Sequence, residues 1–427
     1  MRRRAAAAAA DPGRGVLSTT FRAAPFAALW LAYYGAIGLF NPYFPLWLNH
    51  LGYSTLVIGA FASLQSWTRI VAPYGWGWLA DHGGRRVALL RLACTLSALA
   101  AAALWLVRDA GAWPLAAVVA ALFLANGAVT PIGEALLLKQ LHGAHGLDAR
   151  RYGRVRMWGS VGFIVSVLAF GVLLELAGIQ TLPLFTGALF ALLAWAAWAL
   201  PRQHEAGPAA AQPRADIRPV LRRPELRWFF AGVMLTVLAH TALYAFFSLY
   251  LRQLGYDKPA VGLLWAVSVA GEIAFFALAG RHFGRLDDYR WLVLAAGVTA
   301  LRFAATAAFG DVPAVLVAAQ LTHVVTFAAQ HMACTSVIAR HFPDRLRTRG
   351  SALYTTLGYG VPGVVGGFAG GLLSQAFGLA AVFWAASLVA LASAGCCVMA
   401  ARAAARDTAA AQRGPHSGWR SAPADLP

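Results

Sequence analysis

Charge is scarce in this sequence, and acidic charge scarcest. Only 12% of the 427 residues are Asp, Glu, Lys or Arg, and just 17 are acidic. A soluble domain carries about 25% charged residues, so too few remain here to cover a water-facing surface of this size. That excludes a reading of the length as two or three soluble domains. Cysteine is sparse too. Cys94, Cys334, Cys396 and Cys397 all fall inside apolar runs, without the spacing of a disulfide framework or a metal site. The sequence shows no phosphate-binding loop, no nucleophile triad and no metal-ligand cluster, and it adds no soluble domain of the kind a sensor carries. The expectation is therefore neither an enzyme nor a sensor, with no bound cofactor and no metal.

What is abundant is apolar surface, at 59% of residues. Runs of about 20 apolar residues, the length that crosses a bilayer core, recur at 25–48, 55–80, 87–107, 113–138, 157–176, 182–200, 226–251, 259–280, 291–309, 312–339, 351–375 and 379–401. The pattern predicts an all-α membrane protein of twelve transmembrane helices. The net charge of +18 does not point to nucleic acid, because position matters more than sum. Arginines crowd the N-terminal stretch, the central segment and alternate loops, whereas the opposite loops hold Arg108, Arg252 and Lys258. Such asymmetry places both termini in the cytoplasm. The basic N-terminal start is too short in its apolar part for a signal peptide. It reads as a cytoplasmic tail, 1–24, followed by a six-helix bundle, 25–200. A Pro-, Ala- and Arg-rich cytoplasmic linker, 201–225, leads to a second six-helix bundle, 226–401, and 402–427 reads as a disordered cytoplasmic tail. Two bundles joined by a polar linker suit rocking around a central site. Abundant alanine, with arginine in place of lysine, marks a GC-rich bacterial genome, so the expected location is the bacterial inner membrane.

Ionisable residues inside spans are costly and mark pathways. The first half offers Arg69, Glu134 and Arg156, the second His240, Glu272, Arg302, His323 and His331. At 1.5 Å per residue, Glu272, Arg302 and His323 lie roughly 20, 12 and 16 Å from the outer ends of three consecutive spans, near the membrane centre. Burial and a nearby cation pull a carboxyl's protonation in opposite directions. That balance suits proton coupling through Glu272, with a static ion pair as the alternative. Glu134 and Arg156 flank one loop and are expected to pair across helices. For Arg69, pairing with a polar neighbour such as Gln65 and contact with a solute stand equal. His240 reads as a hydrogen-bonded core residue or a ligand. Tyr34 and its aromatic neighbours read as packing or as cavity wall.

Between the second and third runs stands Gly77-Trp-Leu-Ala-Asp81-His-Gly-Gly84-Arg85-Arg86. This resembles the loop motif of the major facilitator superfamily, with His82 in a position that is usually basic. Gly77 is expected to allow close helix approach. Asp81 is expected to meet a helix N-terminus or a cation of the other half, and Arg85 and Arg86 to anchor the loop at the anionic leaflet. The resemblance implies a latch between the halves. Pro131-Ile-Gly-Glu134-Ala and Tyr152-Gly-Arg154-Val-Arg156-Met-Trp-Gly, with Glu272, Arg302 and His323, resemble the lactose permease branch. There the matching glutamate and second arginine of the first half contact substrate, and the residues of the second half carry proton coupling and part of substrate binding. Thr326 stands where that branch has a second glutamate, so the proton route here differs. A fuller resemblance is to the phenylpropionate permease family. Its segments are Arg69 to Asp81, Tyr152 to Phe163, His240 with Tyr244, Gln320-Leu-Thr-His323-Val-Val-Thr-Phe327 and the glycine-rich Leu353 to Gly371.

Together these readings predict a secondary transporter, proton-coupled, carrying a small organic solute such as an aromatic acid by alternating access. A sugar, oligosaccharide or nucleoside is the second reading and drug-type efflux the third. Glu272, His323 and Arg302 are the expected coupling residues. Glu134, Arg156, Arg69, His240, Tyr34, Tyr244 and Gln320 are the expected solute contacts. The partners are the solute and the lipid bilayer, not nucleic acid, and the carrier is expected to act as a monomer.

Overall fold

The computed structural model describes residues 23–143, 146–201, 216–282, 286–342 and 346–412. Residues 1–22, most of the linker and the stretch 413–427 lie outside them. Long helices dominate: α1 (Ala23–His50), α2 (Thr55–Gly83), α3 (Arg86–Val107), α4 (Ala112–Leu141), α5 (Ala149–Leu176) and α6 (Leu182–Ala199) form the first half. The second half holds α7 (Pro224–Gln253), α8 (Lys258–His282), α9 (Asp288–Ala308), α10 (Pro313–His341), α11 (Arg349–Phe377) and α12 (Leu379–Gln412). A two-residue antiparallel pair, β1 (His142–Gly143) with β2 (Gly146–Leu147), closes the turn between α4 and α5.

Among the described residues, eleven helices are long and apolar enough to cross a membrane. The long helix outside that set is α2, which has 29 residues but carries Ser63, Gln65, Ser66, Thr68 and Arg69 in its middle. Helix ends follow local chemistry. Ser54, Asp148 and Asp287 cap α2, α5 and α9 with their side-chain oxygens. One boundary differs from expectation. Instead of stopping at Ala401, α12 runs on through Gln412, because the stretch after Ala401 is mostly alanine, the strongest helix former. The described part of the C-terminal stretch, 402–412, is thus helical rather than irregular.

Glycines set the closest helix approaches. In the first half α1 crosses α5 at Gly35, Gly38, Gly159 and Gly162, and a Cβ on Gly162 would stand 2.3 Å from the Leu31 carbonyl oxygen. The halves meet along two seams. On one, α2 lies along α11 in steps of one to two turns: Gly59 against Gly367, Ser66 against Gly363, Ile70 against Gly360. Ser63 donates to the Val364 carbonyl at 2.7 Å along the same line. On the other seam α5 meets α8, where Gly262 abuts Val167 and Gly171 abuts Lys258. Here Tyr43 donates to the Val167 carbonyl at 2.7 Å, and Lys258 pairs with Glu175 at 2.7 Å. A cavity of about 370 Å3 lies between the seams, walled by residues of both halves.

The second half has an irregularity that no described residue of the first half shares. Wide π-helical turns interrupt α7 at Ala242–Phe246, α10 at Val324–Ala329 and α11 at Thr356–Gly360. Each places an aromatic residue, Tyr244, Phe327 or Tyr359, on the cavity wall.

Candidate functional site in the central cavity

Two polar clusters face each other across this cavity. In the first half, Arg156 of α5 donates through Nε to Glu134 Oε1 of α4 at 2.8 Å and through Nη2 to the Tyr34 hydroxyl at 2.6 Å. Tyr152 donates to the other carboxylate oxygen at 3.1 Å. The guanidinium also lies over the rings of Trp30 and Tyr34, at 4.6 and 4.7 Å, where the ring quadrupole favours a cation. Gly159 makes room for this stack, since a Cβ there would sit 2.7 Å from the Tyr34 ring. The predicted pairing of Glu134 with Arg156 is present. Of this cluster Tyr34 lines the cavity, and the ion pair stands one layer behind it.

Arg69 differs. It lines the cavity from α2, is exposed, and forms no ion pair or hydrogen bond with another described side chain. The expected pairing with Gln65 is not formed. Around it the wall is aromatic, with Phe44, Phe61, Phe163, Tyr244, Trp265 and Phe327.

In the second half a buried chain of hydrogen bonds runs from α9 through α10 to α8. Arg302, 3% exposed, donates through Nη2 to Gln320 Oε1 at 2.6 Å and through Nη1 to Thr326 Oγ1 at 3.1 Å and His323 Nδ1 at 2.8 Å. His323 Nε2 lies 3.0 Å from Glu272 Oε1. Since arginine has no acceptor, His323 Nδ1 accepts, and Nε2 bears the ring hydrogen and donates to Glu272. The predicted meeting of Glu272, Arg302 and His323 is therefore present, and Glu272 and His323 line the cavity.

Two expected solute contacts are placed elsewhere. Gln320 is buried, is not part of the cavity wall and holds Arg302 instead. His240 is also buried away from the wall. Its Nδ1 donates to the Thr236 carbonyl at 2.8 Å, and Nε2 is left without a partner among the described residues. Tyr244, one turn later, does reach the wall. Sequence reasoning missed Tyr152, Trp30 and the holding role of Thr326. The spacing of Tyr152 four residues before Arg156 was the available signal, because such residues share a helix face.

The loop motif has a structural job that its pattern did not reveal. Gly84 ends α2 with φ of 58°, the left-handed region that favours glycine, and its N–H closes on the Ala80 carbonyl. Gly77 does not serve close helix packing: nothing lies within 4 Å of a Cβ built there. Arg85 holds the position before the first residue of α3, and Arg86 opens that helix. The side chain of Asp81 lies outside the described atoms.

Known proteins place this architecture. A maltose permease of Geobacillus stearothermophilus is 31% identical over 336 residues, 77% of this chain and 82% of that protein. A probable 3-phenylpropionic acid transporter of Escherichia coli strain K12 is 29% identical over 377 residues, 85% of this chain and 95% of that protein. The crystal structure of the nucleoside transporter NupG, in a mutant form, superposes with a TM-score of 0.79 at 16% identity, covering 88% of this chain and 99% of that one, a likeness of fold. Residues 25–385 match the MFS_1 like family. With its many apolar helices and its two permease relatives, the chain belongs to the MFS_1 like family and is a multi-pass membrane transporter of the major facilitator type.

Proposed function

We propose that this protein is a proton-coupled symporter for a small aromatic carboxylic acid. In this reading α2 serves as a twelfth span, both termini are cytoplasmic and the membrane is the bacterial cytoplasmic one. The observation that carries the substrate class is Arg69, a guanidinium with no counter-ion among the described residues, in a cavity walled by aromatic rings. A planar donor fork suits a carboxylate, and the surrounding rings suit an aromatic body. The 3-phenylpropionic acid transporter among the relatives supports the same solute class.

Coupling follows from the second cluster. With Glu272 ionised, His323 donates to it and the carboxylate balances Arg302. A proton on Glu272 removes that negative charge and leaves the cavity more cationic, which favours an anionic solute. Solute and proton thus favour each other, the thermodynamic requirement for symport. The halves then rock about the shared site, exposing it alternately to either side.

A second reading, sugar uptake, is favoured by the maltose permease relative. Thermal-shift titration of the purified protein separates them. Stabilisation by 3-phenylpropionate and not by maltose or nucleosides supports the acid reading, and the reverse order overturns it. For topology, an alkaline phosphatase fused after Gln412 should be inactive. Activity there would contradict a cytoplasmic C-terminus.

A further inference from the structure

The bonds around His323 leave it little room to carry a proton onward. Its Nδ1 accepts from Arg302, and its Nε2 already bears a hydrogen aimed at Glu272. A second proton on this ring would have to displace a buried guanidinium from Nδ1 and set two cations side by side. A proton held on Glu272 therefore needs another way on.

The structure contains one. On α10, His323, Phe327 and His331 recur every four residues and stack as nearly parallel rings, with centroids 5.2 and 6.3 Å apart. At the far end of the stack, His331 Nδ1 lies 3.1 Å from the Tyr354 hydroxyl and 3.4 Å from that of Tyr359. The two hydroxyls are 3.2 Å apart. Tyr359 shares the cavity wall with Glu272. His331 is partly exposed, whereas His323 is 4% exposed. The groups in contact with His331 are the two tyrosines of α11 and the Phe327 ring of its own helix, and Glu272 of α8 is the acidic group in its surroundings. Of the trio His331, Tyr354 and Tyr359, the first two lie off the cavity wall, and the solute-binding reading uses neither.

We propose that Tyr359, Tyr354 and His331 form the outlet by which the proton leaves Glu272 for water on the cytoplasmic side. The inference rests on reading Glu272 as the coupling carboxyl. The O–H bond of the Glu272 carboxyl breaks, and its proton passes, across a cavity water, to the Tyr359 oxygen. Tyr359 gives its own hydrogen to the Tyr354 oxygen, and Tyr354 gives its hydrogen to His331 Nδ1. This leaves a carboxylate, two intact hydroxyls and an imidazolium. The imidazolium then loses its Nε2 proton to water, exchange with water moves the remaining ring hydrogen from Nδ1 to Nε2, and the tyrosine hydrogens turn back. No electron changes hands, and one proton has moved.

Proteoliposomes test it, with proton movement read by an internal pH dye and driven by a gradient of 3-phenylpropionate or, on the sugar reading, maltose. Wild type is expected to move protons with the solute, and Glu272→Gln to move none. His331→Gln is expected to slow proton movement about a hundredfold, the scale of a lost proton-transfer group, and to flatten the pH profile of efflux while counterflow exchange stays at the wild-type rate. Tyr354→Phe keeps the ring, lies off the cavity wall and should show the same split more mildly, which serves where His331→Gln inserts poorly. Wild-type proton rates and pH profile in both variants overturn the outlet alone. Proton movement retained in Glu272→Gln, or absent from wild type, overturns the coupling reading and the outlet with it.

Discussion

The two halves handle an arginine beside the cavity in opposite ways, one half-buried and one buried. In the first half Arg156 is met by everything a cation can use: a carboxylate, a phenol and two aromatic faces. Its surroundings are glycine-tight helices without a described wide turn. In the second half Arg302 has no direct carboxylate among the described residues. It reaches Glu272 only through an imidazole, amid helices whose turns widen at three places. Wide turns leave backbone bonds that shift at low cost and recur at functional sites. Under the proposed proton coupling the contrast amounts to a division of labour, with a first half that holds and a second that changes protonation.

Breaking that division at its strongest point gives the largest effect. Glu272→Gln mimics a permanently protonated carboxyl and should abolish proton-driven accumulation while counterflow remains measurable. Full accumulation would erase the contrast. Next comes Arg69→Gln, which removes the cavity guanidinium. Apparent affinity for an aromatic acid should fall roughly thirtyfold, the scale of about 2 kcal/mol for a hydrogen bond to a charged group, and Arg69→Lys should recover part of it. An unchanged affinity would make Arg69 a bystander. Arg156→Lys keeps charge but loses the fork that spans Glu134 and Tyr34, so affinity should drop about tenfold with coupling intact. A loss of coupling in that variant would show that both halves switch. The smallest effect is expected outside the cavity. Gly84→Ala forces a Cβ into a left-handed turn and should cost about 1 kcal/mol of stability, read as a small drop in melting temperature without change in affinity.

The helices and their charged residues were legible because a bilayer leaves long apolar runs and makes each buried charge conspicuous. The meeting of Glu272, Arg302 and His323, and that of Glu134 with Arg156, followed from depth and neighbourhood. Which way a side chain faces did not follow. On a helix apolar all round, the sequence carries no stripe to tell bundle interior from cavity wall, so Gln320 and His240 read as solute contacts although both are buried behind it. The wide turns hid the rest. His240 and Tyr244 are four residues apart and would share a face on a regular helix. The π turn at Ala242–Phe246 begins after His240 and contains Tyr244, and of the two Tyr244 alone reaches the cavity. Gly77 misled because its spacing fits a motif whose packing the structure does not use there, while Gly84 works through a backbone angle that no side chain announces.

The buried bond from Arg302 to Gln320 has a consequence for energy conservation. By fixing the guanidinium, it fixes the polarity of every hydrogen bond downstream, so His323 presents a donor to the cavity and an occupied acceptor behind. A proton on Glu272 meets an N–H there rather than a lone pair, so it cannot pass back along this chain. Under the proposed coupling role of Glu272, the segment between it and Arg302 acts as insulation, so that a proton on the carboxyl does not drain through α9 and α10 without its passenger. For a carrier that spends an ion gradient, such insulation limits slippage, the idle proton current that would dissipate the gradient without moving solute.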